Sequence, residues 1–313
     1  MRGVVLLFAG IQMACGGVTR IDSVTVANLG NQNKVGVLVM AHGGGDEWNQ
    51  EVAQAVNPMS EDVPVAVAYG MANPMTLQAS LDSLDSEGVT HVAVVRMFLS
   101  GQSFLDQTKF FLGLSDEPLE MFVMMGPMAL NPEMRKQLAH DQIVATHTEG
   151  MIDSDEAAVI MSERASELSS MPANEAVLII AHGMGDEGEN NELLAAMDRV
   201  VKRVELSGYA DVQAVTLRED WEKERIIAER NIRAYVSEQS EEGHSVTVLP
   251  MRLSGFGPYA EVLSGLDYSP GIGLLPHSEI STWIRSMTQK IIDSEGWTAS
   301  TSEFSGKIPG GQY

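Results

Sequence analysis

Apolar residues along this chain fall into short continuous runs that alternate with amphipathic stretches. The first strong run, KVGVLVMA at 34–41, is followed by glycines, a pattern typical of a strand buried on both faces of a parallel sheet. The pattern then predicts a helix from about Glu47, strands at 64–68, 91–99 and 120–125, and helices at 74–86 and 133–143. This alternation of strands and helices predicts a doubly wound α/β unit.

The second half of the chain repeats the pattern of the first. The matching segments are EAVLIIA at 175–181 for the first strand, SVTVLPMRL at 245–253 for the third strand, MRLSG at 251–255 for MFLSG at 97–101, and Leu275-Pro276-His277 for Asn131-Pro132-Glu133. A helix through Trp283 follows the last of these. The repeat predicts two tandem doubly wound lobes, each a four-stranded parallel sheet flanked by helices.

These patterns divide the chain into five segments. They are a signal-like segment and tether at 1–33, the first lobe at 34–150, a connecting helix at 151–170, the second lobe at 171–293 and a disordered tail at 294–313. Because the two lobes are already fused in tandem, we expect a monomer.

The N-terminus has the features of an export signal. Arg2 precedes a short apolar run, and small residues surround Cys15, as in a lipoprotein signal whose cysteine becomes a lipid anchor. Gln12 stands where such signals carry leucine, so a buried first strand in a cytoplasmic protein is the alternative. Cys15 is the only cysteine, which excludes an intrachain disulfide.

Charge narrows the range of partners. The chain has 43 acidic and 20 basic side chains and a formal net charge of −23. Such a surface repels nucleic acid, which excludes it as an expected partner.

Two histidines stand directly after the matching first strands, in the turns HGGGDE at 42–47 and HGMGDE at 182–187. Ligands of open parallel sheets bind beyond the carboxyl ends of the strands. A helix N-terminus beside an imidazole favours the neutral form, which metal binding and general-base catalysis require. His42 and His182 are therefore candidate functional residues, and the alternative for each is a histidine that only caps a turn.

With these strand ends in place, residues 35–293 resemble the class II tetrapyrrole chelatases, the family of sirohydrochlorin and protohaem chelatases. The segments that carry the resemblance are Ala41-His42-Gly43, Ala181-His182-Gly183, the strand from Gly88 to Gly101, and Gly126-Pro127 to Pro132. The resemblance implies two lobes that clasp a tetrapyrrole and insert Co, Fe or Ni as a substrate, in a lyase-type reaction without an organic cofactor.

The resemblance also implies a second acid or histidine after the third strand of a lobe. The loops at 101–106 and 255–261 contain no histidine, which departs from the cobaltochelatase pattern. Glu261, before Val262-Leu263, is similar to the glutamate of ferrochelatases. His182 and Glu261 are the predicted catalytic pair in the second lobe, and both, with His42, are the predicted metal ligands.

A substrate rich in carboxylates needs guanidinium groups to hold it. Arg252 and Arg218, near strand ends of the second lobe, are the predicted tetrapyrrole-binding residues together with Tyr259, and surface ion pairing is the alternative for both arginines.

Two other enzyme classes share a His-Gly motif but require residues that this chain lacks. An α/β-hydrolase needs a Gly-x-Ser-x-Gly elbow, which the chain lacks, and histidine phosphatases need arginine before His-Gly, where both copies have alanine. The remaining rival is a protein that binds metal or tetrapyrrole on a chelatase fold without catalysing insertion.

Overall fold

Two four-stranded parallel sheets form the framework of the protein. The computed structural model describes residues 33–117 and 136–298. The strand orders are β2-β1-β3-β4 and β6-β5-β7-β8, which confirms the predicted fold class. The strands are β1 (Val35–Ala41), β2 (Val65–Tyr69), β3 (His91–Met97), β4 (Ile143–Thr146), β5 (Glu175–Ala181), β6 (Asp211–Thr216), β7 (Ser245–Met251) and β8 (Ser269–Pro270).

Helices flank both faces of each sheet. In the described parts of the chain they are α1 (Asp46–Val56), α2 (Pro74–Ser86), α3 (Leu105–Phe111), α4 (Asp155–Leu168), α5 (Glu187–Glu205), α6 (Glu222–Glu241), α7 (Tyr259–Val262) and α8 (Ser278–Glu295). Two of them show how the sequence starts a helix: Asn73 caps α2 before Pro74, and Asp186 accepts hydrogen bonds from two backbone amides of α5.

Strand register brings the loops after neighbouring strands to one edge. Ala41, the last residue of β1, lies opposite Tyr69 and Met97. In the second sheet Ala181 lies opposite Thr216 and Met251. Because β1 and β5 are central and buried along their whole length, each histidine emerges where three loops meet.

One hydrophobic core joins the two lobes. It contains the inward-facing residues of both sheets and the helices α1, α4, α5 and α8. A separate core lies under α2 and α3 of the first lobe, and another under α6 and α7 of the second. The molecule is therefore layered as helices, sheet, helices, sheet, helices.

The last helix of each lobe packs against the other lobe. α4 follows β4 but contacts β7 and α5, and Arg164 donates to the carbonyl oxygens of Gly273 and Pro276. α8 follows β8 but contacts β3, β4 and α1, and Ser281 donates to Ala55 O. Trp283 of α8 is fully buried and meets His147 of the first lobe edge to face, with ring centroids 5.6 Å apart.

The prediction of a helix at 133–143 was wrong. Residues 136–142 are not helical, and Ile143 begins β4, because this β-branched segment completes the sheet beside β3. The segment predicted as a strand at 120–125 lies outside the described residues.

Backbone hydrogen bonds also correct one alignment of the repeat. Ile152 N donates to Leu99 O, and Leu275 N donates to Leu253 O. The segment equivalent to 275–277 is therefore 152–154 and not Asn131-Pro132-Glu133, whereas the alignment of 97–101 with 251–255 agrees with these bonds.

The predicted signal segment, Cys15 included, and residues 299–313 of the predicted tail lie outside the described residues. α8 extends to Glu295, and Gly296 then turns the chain in a left-handed conformation so that Trp297 packs on His91. No helix in the described ranges is long and apolar enough to cross a membrane.

Candidate functional site

His182 lies at the end of β5 with both ring nitrogens facing oxygen atoms. Its Nδ1 is 3.0 Å from Gly183 O. Its Nε2 is 3.2 Å from a carboxylate oxygen of Asp220 and 3.9 Å from one of Glu219. The side chain of His182 is 37% exposed, so the imidazole remains open to a ligand.

Glu219 and Asp220 come from the loop after β6, which ends beside β5. Glu219 N donates to His182 O, which fixes this loop against the histidine turn. The Glu219 side chain is only 12% exposed, and its Oε1 accepts a hydrogen bond of 2.6 Å from Arg252 Nη1. The Asp220 carboxylate is largely exposed. One acid is thus held rigidly and the other faces solvent.

Arg252 and Tyr259 support Glu219 from the loop after β7. Burial, the largest single effect, lowers the pKa of Arg252, but the charges and hydrogen bonds of Glu219 and Tyr259 together outweigh it, so the net shift of the pKa is upward. Burial, and then the charge of Glu219, raise the pKa of Tyr259, which is fully buried and lies under the Arg252 guanidinium. The predicted contact of Tyr259 with a tetrapyrrole is not available to a buried ring, so its place in the structure is that of a support.

Arg218 is bound to the turn that follows His182. Its Nη1 donates to Glu187 at 3.0 Å and its Nη2 to Gly185 O at 2.8 Å, so it ties the β6 loop to the HGMGDE turn. Arg218 has a φ of 59° and is buried. A positive φ is unfavourable for arginine. The ion pair with Glu187 holds Arg218 in this backbone conformation, and Arg218 in turn orients the HGMGDE turn.

Trp221 closes the side of the histidine turn. Its ring meets the His182 imidazole edge to face, with centroids 5.9 Å apart. A side chain at Gly185 would overlap the Trp221 indole, so the glycine is required for this close approach.

The matching histidine of the first lobe has different surroundings. His42 Nδ1 is 2.8 Å from Gly43 O, as in the second lobe, and its ring lies 5.8 Å from Trp48. The loop after β2 offers Gly70 to Asn73 and no acid. His42 is exposed, and no carboxylate of the described residues lies within 4.0 Å of its ring nitrogens.

Glu261 is not brought to His182. It is exposed in the first turn of α7, and its charge, after those of closer groups, acts on Arg225. Across residues 33–117 and 136–298, no three His, Cys, Asp or Glu side chains are grouped so as to hold a metal ion. The three predicted ligands His182, Glu261 and His42 are therefore not assembled into one cage.

Comparisons with solved structures identify the fold. SirB from Bacillus subtilis with Fe³⁺ matches with a TM-score of 0.59 and 13% identity, over 84% of this chain and 98% of that one. The sirohydrochlorin chelatase SirB from Bacillus subtilis subspecies spizizenii in complex with cobalt matches with a TM-score of 0.56 and 11% identity, over 84% and 97%. The chain has the chelatase fold. No family model and no curated protein matches its sequence.

The chelatase fold explains which site residues sequence reasoning missed. Glu219, Asp220 and Trp221 were not predicted, although they directly follow Arg218, which was. Their position in the sequence, directly after β6, could have indicated them. β6 adjoins β5, so the loop that follows β6 must lie beside His182. Glu261 was favoured by its local sequence alone, and it lies exposed in the short helix α7, more than 4.0 Å from the ring nitrogens of His182.

Proposed function

We propose that this protein is a chelatase that inserts a divalent metal into a tetrapyrrole, with the chemistry in the second lobe. The support is a chelatase fold together with one histidine, of the two at equivalent strand ends, that faces carboxylates.

The observation that carries the proposal is the position of the His182 ring between three oxygen atoms. The Gly183 carbonyl can only accept a hydrogen bond, so Nδ1 carries the hydrogen at this contact. Nε2 then faces Asp220 and Glu219, and two acceptors face each other unless a proton or a cation lies between them. This arrangement suits a group that exchanges a proton for a metal ion.

The incoming metal ion is a substrate, so it must be held and then released. Nitrogen and oxygen donors suit Co(II), Fe(II) and Ni(II) without the retention that a thiolate cage would give. An open set of donors leaves coordination positions for the pyrrole nitrogens. In the part of the chain that the structure describes, no three such side chains form a closed cage, which agrees with this requirement.

Insertion also requires two pyrrole protons to leave. Asp220 is exposed and 3.2 Å from His182 Nε2, which places it to accept a proton and pass it to solvent. Glu219, held in place by Arg252, presents a second carboxylate that attracts the approaching cation.

Metal insertion can be followed directly by absorption spectroscopy. Purified protein is incubated with a porphyrin or sirohydrochlorin and with Co(II), Fe(II) or Ni(II) in turn, and the rate of metallation is compared with the rate without protein. The proposal expects faster metallation in the presence of protein. Ligand binding with an unchanged metallation rate would contradict it.

A second function, metal or tetrapyrrole binding without catalysis, is favoured by one observation. Arg252 follows the third strand of the second lobe, where the cobaltochelatase pattern has histidine nearby, and it is already paired with Glu219. The same assay separates the two functions, because a binding protein shifts the spectrum of the ligand without accelerating insertion.

Export and a lipid anchor at Cys15 are part of the proposal for where the protein acts. The mass of the N-terminal peptide from protein isolated from its native membrane fraction tests this. A mature chain that begins at a lipidated Cys15 is the expected result, and an intact Met1 would contradict it.

A further inference from the structure

A groove opens beside the histidine turn along the free edge of β6. It has a volume of about 480 Å³, within the range of about 300 to 1,000 Å³ that is usual for small-molecule pockets. Its floor is formed by residues 213–216 of the edge strand, and its walls come from α5 and α6. Half of the residues that line the groove are apolar, namely Leu194, Ala214, Val215, Ile227, Ala228 and Ile232.

The groove exists because the two lobes differ in the helix after their second strand. In the first lobe, α2 has 13 residues and buries Leu77, Leu81 and Leu84. In the second lobe, α6 has 20 residues and buries only residues of its second half, Ile232, Tyr235 and Val236. The first half of α6 is therefore not packed on the sheet, and Ile227 is 53% exposed at the groove.

The groove adjoins the candidate site. Thr216, Arg218 and Glu187 line one end of it, and Thr216 pairs with Ala181, directly before His182. A ligand at the imidazole therefore has the groove beside it.

The charged residues in and near the groove limit how many carboxylates a bound ligand can carry. Among the described residues that line the groove, Arg218 is the sole cation, against the carboxylates of Glu187 and Glu224. Arg218 is already bound to Glu187 at 3.0 Å, and Arg252 to Glu219 at 2.6 Å. Arg225, whose Nη1 donates to Glu219 O, is bound to Glu229 at 2.7 Å. The charge of each of these guanidinium groups is therefore already paired with a carboxylate of the protein.

We propose that the groove holds the apolar rim of a tetrapyrrole that carries few carboxylates, so that the site discriminates against tetrapyrroles rich in them. This inference rests on the proposed function and specifies its substrate class. It reverses the expectation that Arg218 and Arg252 clamp a polycarboxylate. Like charges brought together at an interface weaken binding, whereas each buried methylene favours it.

Equilibrium binding of metal-free porphyrins tests the inference without requiring turnover. The probes are the dicarboxylate mesoporphyrin, the tetracarboxylate coproporphyrin and the octacarboxylate uroporphyrin, each titrated into the full chain and followed by quenching of tryptophan fluorescence. We expect affinity to fall in that order, by about tenfold or more between the first and last. Equal affinity, the reverse order or no binding of any probe would overturn the inference, and the proposed function would then still be decided by the metallation assay with sirohydrochlorin.

Two neighbouring isoleucines provide a matched pair of variants. Ile227→Glu places a charge inside the groove, and Ile226→Glu makes the same change at a residue that is 63% exposed and does not line it. We expect the first to weaken mesoporphyrin binding about tenfold and the second to leave it unchanged. Equal effects of the two substitutions would show that the porphyrin does not bind in the groove.

A second pair of variants changes the charge of the groove. Glu187→Gln releases the Arg218 guanidinium, whereas Glu224→Gln removes the same charge without releasing an arginine. We expect the first to strengthen uroporphyrin binding several-fold more than the second. Equal effects would mean that pairing of Arg218 does not set the preference.

Discussion

Among single residues, His147 is a buried histidine kept neutral by its surroundings. Burial, and then the charge of Arg96, lower its pKa from 6.5 to about 4. Its Nε2 accepts a hydrogen bond of 2.9 Å from Arg96 N. The folded state therefore excludes a proton that the unfolded chain takes up near pH 6.5.

Stability should follow this difference in pKa. The contribution of neutral His147 is complete above pH 6.5 and declines as the pH falls toward 4, by about 3 kcal/mol over that range. Denaturant unfolding between pH 4.5 and 7 measures it. In His147→Gln, whose carbonyl can still accept from Arg96 N, the pH dependence should be weaker, and an unchanged slope would contradict the assignment.

The exposed acid beside His182 can be tested separately from the buried one. Asp220→Asn keeps the shape of the side chain and removes its charge, so we expect Co(II) affinity to fall about tenfold in a calorimetric titration. Asp198→Asn, an exposed acid paired with Lys202 on α5, is the control and should not change it. Equal affinities in the two variants would exclude Asp220 as a metal donor.

Among the elements, the two HGxGDE turns have the same sequence pattern but different packing. Gly185 is pressed against the Trp221 indole, whereas a side chain at Gly45 would meet nothing within 4 Å. Gly185→Ala must displace Trp221 and should disturb the His182 ring. Gly45→Ala, at a helix N-cap, should cost only about 1 kcal/mol or less.

Unfolding free energy and tryptophan fluorescence of both variants check this difference. We expect a larger loss of stability and a spectral shift only for Gly185→Ala. Similar small losses in both would show that Trp221 moves aside at no cost, and its support of His182 would then be withdrawn.

Several elements could be predicted from sequence because their burial is uniform. β5 and α2 were predicted with their observed ends, since a strand buried on both faces is apolar throughout and Pro74 marks a helix start. β4 was missed because it has four residues at a sheet edge, where Ile143 is exposed and the apolar signal is short. Its neighbours in space lie about fifty positions earlier, in β3, which no local pattern reveals.

The whole molecule depends on the exchange of α4 and α8 between the lobes. An amphipathic helix fits either sheet, so the sequence pattern that predicted both helices could not predict which sheet each covers. Prediction of the site from sequence was limited in the same way, because it depends on contacts between distant segments. Local motifs identified His182, Arg218 and Arg252, but their carboxylate partners follow from how the loops converge.

Because α8 packs against the first lobe, a destabilising substitution in α8 should destabilise that lobe. Trp283→Ala removes a fully buried indole, with an expected loss of about 3 to 5 kcal/mol. Hydrogen exchange should increase most at β3, and Ile232→Ala, in the separate core under α6, should affect the second lobe instead. If hydrogen exchange increased only within residues 171–298 in both variants, the packing of α8 against the first lobe would be contradicted.

The central claim is that His182, and not its counterpart His42, handles the metal ion during insertion into a tetrapyrrole. The most direct measurement is the initial rate of Co(II) insertion by the wild type, His182→Ala and His42→Ala, with stability checked for each. We predict that His182→Ala falls to the rate without protein, because it removes the nitrogen that faces Asp220 and Glu219, and that His42→Ala retains most of the activity. Equal loss in both variants, or no loss in His182→Ala, would contradict the account.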